Sequence, residues 1–406
     1  MERFTSHFLI RLVMKHFICL FFLFTGIAVF AQQHKSIHQI ESEYYNSFGF
    51  TNDAQWDSLF NFKPMPAVKS TQACPLNKVV FGWNPYWQTT QYANFQWEQL
   101  SDLCWFSYEF STSTGNPTNT HNWSTAAAVT AALNNGKRVH LCVTLFSDHA
   151  TFLGNSTAQN TLISNLITAL QQRNAHGINI DFESVPSAQK DNLTAFMKNL
   201  SHQVHTAIPG SFISICVPAV DWSGTFDVLN MTNDATSTKN IDWITIMGYD
   251  YYWDGSSQAG PCDPLYSLTT GYNYNLTKTL TYYLNKIPAS KIILGLPYYG
   301  KDWPTESNAV VSNTTGDATS RTYKYVRDNA STFGTKLWNN TTYTPYYTYQ
   351  VSTQWHQCWI SDAYAYGRRL DLVNQRGVAG IGIWALGYDD GYSDMWNMIK
   401  NKLTSC

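Results

Sequence analysis

Eight short apolar segments follow one another along this chain, and helical patterns separate them. Each segment has the length and the continuous apolar character of a buried parallel strand. Successive segments start about 24 to 49 residues apart, except for a last gap of about 87 residues. Between them apolar residues recur at helical spacing, as in Leu162, Leu166 and Leu170. We therefore predict an α/β fold, a closed (β/α)8 TIM barrel. The segments are Val79–Trp83, Leu103–Ser107, Val139–Val143, Gly177–Glu183, Phe212–Val217, Trp243–Met247, Ile292–Leu296 and Ala379–Trp384.

An open doubly wound sheet is the alternative arrangement of such units. It is disfavoured because no glycine-rich phosphate loop follows the first segment. The long last gap predicts an insertion at about residues 304–360, between strand 7 and helix 7 on the C-terminal face of the barrel. This stretch is rich in Thr, Tyr and Asn and has strand-like pieces at Thr322–Val326 and Tyr346–Val351. We expect it to wall one side of the barrel mouth.

The N-terminal residues predict export. An apolar run from Phe17 to Phe30 follows Lys15 and ends before Ala31, which is typical of a secretory signal peptide at residues 1–31. The run is too short to span a membrane, and Met14 is the expected true start. Residues 32–76 form a polar lead-in of unknown role with one possible helix near Ile37–Tyr45, and residues 77–406 form the barrel domain. We expect a secreted or periplasmic protein.

Seven cysteines remain after such a cleavage, in an oxidising compartment. Three fall inside predicted strands, and we expect buried free thiols there: Cys104, Cys142 and Cys216. Two disulfides are hypothesised from the predicted ends of the barrel, Cys74 with Cys406 and Cys262 with Cys358.

Composition narrows the class of partner. A formal net charge of -2 without a basic run argues against nucleic acid and anionic membrane surfaces. The chain has 15 Trp, 25 Tyr and 22 Phe but only 13% charged residues. Aromatic faces suit ligands that are amphipathic plates, such as sugar rings. Much of this aromatic content also serves as ordinary core.

The fourth predicted strand alternates polar and apolar side chains. Because successive side chains of a strand point to opposite faces, its polar residues share one face. Any strand with one wet face shows such alternation. In a βαβ context, however, helices cover the outer face, so the polar face must look inward, and acids at a strand's C-terminal end indicate chemistry. The polar set is Asn179, Asp181 and Glu183, and the apolar set is Ile178, Ile180 and Phe182.

Four segments, in the right order, resemble glycoside hydrolase family 18, the chitinase-like (β/α)8 enzymes. The family signature Asp-Gly-x-Asp-x-Asp-x-Glu is matched by the chain around the acid pair, and three later segments match the family's sixth, seventh and eighth strands. The similarity spans roughly residues 78–403. The segments are His176–Glu183, Met247–Asp250, Gly295–Gly300 and Gly382–Asp390.

The resemblance implies roles for individual residues. Glu183 matches the general acid, and Asp181 matches the acid that supports the 2-acetamido group of the sugar. Tyr249 and Asp250 match the pair that positions this group, and Trp384 matches the aromatic floor beneath it. Two positions depart from the family pattern. Asn179 replaces the first Asp of the Asp-x-Asp-x-Glu part of the signature, which bears on the rate. Val143–Ser147 replaces the third-strand Ser-x-Gly-Gly, which bears on the substrate subclass.

Further aromatic residues follow the strand ends at the predicted mouth and suggest several sugar subsites. Substrate-binding candidates are Trp83, Tyr298 and Trp253, together with Asn179, Asp250 and Trp384. Weaker candidates are Tyr86, Trp87, Trp222, Tyr251, Tyr252, Trp303 and the polar Glu109.

Asp181 and Glu183 come from one strand, two residues apart, which favours one acid for the leaving group and one that orients the substrate. The resemblance implies a retaining, substrate-assisted hydrolysis of β-1,4-linked N-acetylglucosamine polymers such as chitin. We expect a monomer without cofactor or metal. Alternatives are a peptidoglycan or N-glycan-core N-acetylglucosaminidase, a catalytically impaired carbohydrate-binding protein, and a barrel enzyme with a divalent cation on Asp181, Glu183 and Asp250.

Overall fold

The eight predicted strands are present and close into one parallel barrel. The computed structural model describes residues 35–60 and 74–405. Each barrel strand pairs in parallel with its neighbours, and the first strand pairs with both the second and the last, which closes the ring. The predicted TIM barrel is therefore confirmed. In chain order the strands are β1 Val79–Pro85, β2 Asp102–Phe110, the short antiparallel β3 Pro117–Asn119 at the end of β2, β4 Arg138–Leu145, β5 Gly177–Phe182, β6 Phe212–Pro218, β7 Trp243–Met247 and β8 Ile292–Pro297. The barrel strand β14 Gly380–Trp384 follows an additional sheet.

Helices cover the outside of the barrel and precede its first strand. The helices are α1 Ile37–Asn46, α2 Asp53–Phe60, α3 Ala127–Asn134, α4 His149–Leu153, α5 Ser156–Arg173, α6 Lys190–Ala207, α7 Val228–Thr232, α8 Leu276–Leu284, α9 Tyr323–Asp328, α10 Ala330–Phe333, α11 Ala363–Arg376 and α12 Asp394–Leu403. Short 3₁₀ turns lie at Gln91–Asn94, Trp97–Gln99, Ser187–Gln189, Ser237–Lys239 and Ala289–Lys291.

The βα unit that carries the acid pair shows how local sequence sets these elements. Helix α5 begins where the Asn155 side chain accepts a hydrogen bond from the Ala158 backbone N–H at 3.1 Å. It ends at Asn174, whose left-handed backbone (φ 50°) stops the helix before β5. On the far side of β5, Phe182 stacks on Phe196 of α6 at 5.6 Å between ring centroids. The apolar face of β5 therefore packs on the helices, and its polar face points into the barrel.

Between β8 and α11 the chain forms a second, antiparallel sheet of five strands in the order β10-β9-β13-β12-β11. The predicted strand at Thr322–Val326 is wrong: most of it lies in α9, which begins where the Thr322 side chain accepts from the Tyr325 N–H at 3.1 Å. The predicted strand at Tyr346–Val351 lies within β12. The strands are β9 Tyr299–Thr305, β10 Thr319–Thr322, β11 Leu337–Asn339, β12 Thr344–Val351 and β13 Gln354–Trp359.

The lead-in before the barrel contains two helices. The predicted helix near Ile37–Tyr45 is present as α1, whereas α2 was not predicted. The signal peptide at residues 1–31 and the start at Met14 lie outside the described residues and stay predictions. Among the helices of the described chain, none combines the length and the hydropathy that crossing a bilayer would require.

The cysteines fall into two groups. The predicted free thiols of the barrel strands are free and buried, as are Cys262 and Cys358. The predicted disulfide between these two is therefore wrong, since Cys262 lies beside the Asp250 backbone N–H at 3.3 Å while Cys358 pairs with Asp302 across the antiparallel sheet. Cys74 is in a disulfide, and its predicted partner Cys406 lies outside the described residues.

Candidate active site

Strand β5 delivers its polar side chains to the C-terminal mouth of the barrel. Asn179 and Asp181 are fully buried in the barrel interior, and Glu183 follows the last residue of the strand. The Glu183 backbone N–H donates to the Leu145 carbonyl at 3.0 Å, which continues the ladder between β4 and β5. The two carboxylates therefore sit at successive levels of one strand end.

Asn179 is the hydrogen-bonding centre of the layer beneath the acid pair. Its side-chain oxygen accepts from the Trp83 indole N–H at 2.9 Å, and its amide donates to Ser214 at 2.9 Å and to Thr245 at 3.3 Å. No hydrogen bond in the described barrel joins Asn179 to Asp181. The amide instead ties together strands β1, β5, β6 and β7. Asn179 therefore fixes the frame below the acids, and Trp83 belongs to that frame.

A side chain from the lead-in occupies the space above the acid pair. His38 of α1 is fully buried, and its Nδ1 lies 2.8 Å from Asp181 Oδ2 and 3.2 Å from Glu183 Oε1. Its Nε2 lies 2.8 Å from the Tyr249 hydroxyl. One imidazole ring therefore touches both acids and the tyrosine at once, which places these three side chains around a single ring-sized space.

Trp384 forms the floor of this space. The His38 ring stacks on it with 3.7 Å between centroids and an interplanar angle of 28°. The Trp384 indole N–H donates to Glu41 Oε2 of α1 at 2.9 Å. Helix α1 thus covers the face of Trp384 with one side chain and engages its edge with the next residue on the same side of the helix.

The site is strongly charged for a buried location. Burial alone would lower the pKa of His38, but the charges and hydrogen bonds of Asp181 and Glu183 together outweigh it and raise that pKa to about 10. His38 is therefore an imidazolium at neutral pH. Desolvation raises the pKa of Glu41 to about 7 despite hydrogen bonds from Tyr388 and Trp384. Burial and the nearby anions hold the pKa of Tyr249 well above its ordinary value, so its hydroxyl stays protonated.

Asp250 connects the mouth to the antiparallel sheet. Its Oδ1 accepts from the Tyr299 hydroxyl at 2.7 Å and lies 3.4 Å from the ammonium of Lys301. Lys301 is fully buried. Its burial would lower its pKa, but the charges of Asp250 and Asp254 raise it. Asp250 is thus oriented by two residues of β9 and paired with a buried positive charge.

The remaining predicted aromatics separate into packed and open positions. Tyr298 is fully buried, and its ring lies 5.4 Å from Tyr366 of α11, so the structure does not bring it to the carboxylates. Trp253 is partly exposed and lines an open groove of about 670 Å³ together with Tyr252. Trp222 is 72% exposed beside Tyr274.

The other weaker candidates have structural partners. Trp87 and Trp303 are fully buried, and Tyr45 of α1 stacks on Trp87 at 4.4 Å. Tyr86 donates to Asn46 of α1 at 2.6 Å. Glu109, the polar candidate, pairs with His121 at 2.8 Å.

Two residues that the sequence did not single out belong to this site. His38 and Glu41 lie three positions apart on α1, so they share one face of the helix. The only available signal was a His and a Glu on the same face as the apolar Ile37 in a polar segment. That pattern is common in surface helices, and nothing local connects it to the barrel mouth.

Comparison with known proteins places the chain in a family. The sequence model for "Glycosyl hydrolases family 18" matches residues 44–389. The cortical fragment-lytic enzyme of Bacillus anthracis is 22% identical over 267 residues, 63% of this chain and 56% of that protein. The class V chitinase of Arabidopsis thaliana is 26% identical over 257 residues, 60% of this chain and 66% of that protein.

Among solved structures, a chitinase from Cycas revoluta in complex with (GlcNAc)3 superposes with a TM-score of 0.70 at 13% identity, over 80% of this chain and 99% of the other. The chain spans only 54%, 40% and 56% of the length of three curated relatives. With the family match covering most of the residues from α1 to β14, this chain belongs to the glycosyl hydrolases family 18.

Proposed function

We propose that this protein is a retaining glycosidase that hydrolyses β-1,4 linkages in N-acetylglucosamine polymers with the assistance of the substrate's own acetamido group. The observation that carries the proposal is the shared space bounded by Asp181, Glu183 and Tyr249 above Trp384. The His38 ring fills that space and therefore shows its size and its contacts. A flat ring stacks on the indole there while its polar atoms reach both acids and the phenol.

The arrangement of the acids favours substrate assistance over a two-carboxylate mechanism. Asp181 and Glu183 come from the end of one strand, and both lie against the same atom, His38 Nδ1, at 2.8 and 3.2 Å, so both carboxylates approach the space from the same side. A conventional retaining enzyme needs its carboxyl groups about 5–5.5 Å apart on opposite sides of the scissile bond. With both acids on one side, the nucleophile has to come from the substrate.

Each residue then has a defined task. Glu183 donates a proton to the leaving glycosidic oxygen as the acetamido oxygen attacks the anomeric carbon, which breaks the C–O bond and forms a cyclic oxazolinium. Asp181, as an anion, accepts a hydrogen bond from the acetamido N–H and stabilises the developing positive charge. The protonated Tyr249 hydroxyl donates to the acetamido carbonyl region. Glu183 then removes a proton from the water that opens the intermediate, and the configuration is retained.

The test is turnover of tetra-N-acetylchitotetraose by the full chain and by Glu183→Gln. We expect the variant to lose about 1,000-fold in kcat, within the roughly 10²–10⁴-fold that general acid catalysis contributes, and to keep its binding of the sugar. Glu98→Gln is the matched control, because it makes the same change at an exposed position. Equal rates for the two variants would refute the assignment.

A second substrate class follows from one relative. The Bacillus anthracis protein is named a cortical fragment-lytic enzyme, and peptidoglycan carries the same 2-acetamido group as chitin. Parallel digestion of chitin oligomers and of isolated peptidoglycan, with masses of the products, would decide between the two polymers. N-linked glycan cores form the third substrate for that comparison.

The metal-dependent alternative is testable in the same assay. His38, Asp181 and Glu183 form a set that could hold a metal ion. The proposed imidazolium accounts for their contacts without an ion, because both of its nitrogens already have protein partners. We therefore expect full activity after exhaustive chelation. Loss of hydrolysis that a divalent cation restores would support the metal reading.

We also propose that the protein is exported, cleaved after Ala31, and monomeric. The disulfide at Cys74 supports an oxidising compartment. N-terminal sequencing of protein recovered outside the cytoplasm, together with light scattering, would test the cleavage site and the oligomeric state.

A further inference from the structure

The lead-in helices fill the mouth of the barrel where substrate would have to bind. The fully buried His38 contacts both acids and stacks on Trp384 at 3.7 Å, which is van der Waals contact. A sugar ring cannot share that face of Trp384 with the imidazole. His38 itself lies outside the residues that match the family model, which begin at residue 44.

The contacts of His38 imitate those of a ligand. As an imidazolium, His38 donates its Nδ1–H to Asp181 and lies 3.2 Å from Glu183 as an ion pair, and its Nε2 meets the Tyr249 hydroxyl. Glu41 extends the match by accepting from the Trp384 indole N–H. The helix therefore satisfies polar groups that would otherwise be buried without partners, which is costly.

Anchors away from the acids hold the helix in place. The Tyr45 ring stacks on Trp87 at 4.4 Å with an interplanar angle of 21°. Asn46 accepts from the Tyr86 hydroxyl at 2.6 Å. In α2, Trp56 is 4% exposed and packs edge-on against Tyr45 at 5.9 Å. Each of these contacts has one partner in α1 or α2, so a substitution in the lead-in can break it without changing a residue of a barrel strand.

From this geometry we infer that residues 37–60 are a built-in inhibitory segment, which occupies the sugar subsite through His38 and must leave the mouth before substrate binds. The inference rests on the proposed function for the chemistry of the site. When only a fraction of molecules is open, apparent substrate affinity falls in proportion to that fraction. The closed chain should therefore be a slow enzyme whose acid pair is intact.

Activity of full-length variants tests the inference directly. We expect His38→Ala/Glu41→Gln and, independently, Tyr45→Ala to raise kcat/KM on tetra-N-acetylchitotetraose about tenfold or more. Glu43→Gln, an exposed position on the same helix, is the matched control and should leave the rate unchanged. If His38 were instead part of the catalytic machinery, the double variant would lose activity and Tyr45→Ala would not gain any. Either result would overturn the inference.

Hydrogen exchange gives a readout that does not depend on turnover. We expect amides of residues 37–46 to exchange through local opening in the wild type, while β5 stays protected. Tyr45→Ala should reduce protection of α1 about tenfold without affecting β5. Loss of protection in α1 and β5 together would show one cooperative unit and overturn the inference. If α1 opens as expected but none of the proteins hydrolyses the sugar, the proposed function fails while the inhibitory segment stands.

Competition between α1 and the sugar for the same space gives a third test. In the full-length Glu183→Gln protein, saturating tetra-N-acetylchitotetraose should accelerate exchange of α1, because the helix and the sugar cannot occupy one space. Slower exchange of α1 upon addition of the sugar would show that both bind together, which would refute the inference.

Discussion

Two clusters of histidine and carboxylate lie at opposite ends of the barrel. At the N-terminal end, Asp102 accepts from Arg138 at 2.6 and 2.7 Å, from Ser101 at 2.6 Å and from His140 at 2.8 Å. All four residues come from β2 and β4 or from the position before β2. At the C-terminal mouth, the Asp181 and Glu183 pair meets a histidine that belongs to no barrel strand. The partners of Asp102 in the first cluster all come from the barrel wall, whereas the histidine of the second cluster comes from α1.

The difference separates a structural cluster from a reactive one. Both oxygens of Asp102 are bonded. Burial alone would raise the pKa of this carboxyl, but its hydrogen bonds with His140 and Arg138 and the Arg138 charge lower it to about 2. Asp181 Oδ1, in contrast, has no hydrogen-bond partner among the described residues. In the first cluster the unpaired atom is His140 Nδ1 and the acid itself is fully bonded, whereas at the mouth the acid keeps an open acceptor. Leaving an acceptor buried and unfilled costs stability, and it leaves Asp181 able to accept a hydrogen bond from a ligand. A histidine–carboxylate pair whose partners all belong to the barrel wall thus stabilises the fold, whereas one whose histidine comes from outside the barrel leaves the acids available for chemistry.

The largest expected effect on stability comes from breaking the Asp102 cluster at the N-terminal end of the barrel. Asp102→Ala should lower the free energy of unfolding by about 3–5 kcal/mol, because it leaves the buried His140 without its hydrogen-bond partner and the partly buried Arg138 without its counter-charge. Urea denaturation measures this loss. Activity per folded molecule should be unchanged, and a selective loss of kcat in the folded fraction would contradict the structural role.

The corresponding change at the mouth should affect rate instead. Asp181→Asn is expected to reduce kcat/KM about 100-fold, since it removes the anion that stabilises the positively charged intermediate. Its stability should change less than that of Asp102→Ala. Rates normalised to the folded fraction provide the measurement. The distinction between the two clusters would be lost if Asp181→Asn were the more destabilising change.

Raising the pH should weaken the docking of α1 at the mouth and leave the Asp102 cluster intact. The folded pKa of His38 is raised to about 10 from an ordinary 6.5, so its stabilisation of the docked helix is complete below pH 6.5 and is lost as the pH rises through about 10. Glu41, with a folded pKa raised to about 7, acts in the same direction between pH 4.5 and 7. The other groups facing His38 are Asp181, Glu183 and the protonated Tyr249.

We therefore expect protection of the α1 amides, corrected for intrinsic exchange, to fall about tenfold between pH 7 and 10 while β4 and β5 remain protected. The Asp102 cluster responds to acid instead. The pKa of Asp102 is lowered from 3.8 to about 2, so its contribution to the free energy of unfolding is present above pH 3.8 and is lost as the pH falls through about 2. Constant protection of α1 up to pH 10 would contradict the role of the imidazolium.

The smallest expected effect lies in the layer between the clusters. A Cβ on Gly382 would stand 2.6 Å from the Trp83 ring, so Gly382→Ala should displace the indole from Asn179. We expect a loss of about 1 kcal/mol in the free energy of unfolding. Gly271→Ala is the control, because a Cβ there meets nothing within 4 Å. Equal free energies of unfolding for the two variants would contradict the prediction, because they would show that Trp83 moves without loss of stability.

The fold was predictable because each of its signals is local. Continuous apolar runs separated by amphipathic helices predicted eight strands, and all eight are present. The antiparallel sheet was less predictable. At Thr322–Val326 the alternation of polar and aromatic residues suggested a strand, but the capping side chain of Thr322 begins a helix there.

The candidate site was predictable in part. The alternation along β5 predicts that the acids and Phe182 lie on opposite faces, and in the structure Phe182 packs on Phe196 of α6 while Asp181 is buried inside the barrel. The aromatics were harder to place, because a tryptophan after a strand can face the mouth or the packed layers. Trp384 forms the floor of the mouth, whereas Tyr298 packs against α11. The predicted disulfide between Cys262 and Cys358 failed for the same reason, since loop positions do not follow from strand order.

By itself, the sequence determined the ring of strands and the face on which the acids emerge, because a strand's two-residue period and a helix's 3.6-residue period are written into every short window. Only the tertiary structure decided that His38 fills the mouth. Its contact with Asp181 joins residues 143 positions apart. Such a contact depends on shape and charge complementarity between distant surfaces, which no local pattern encodes.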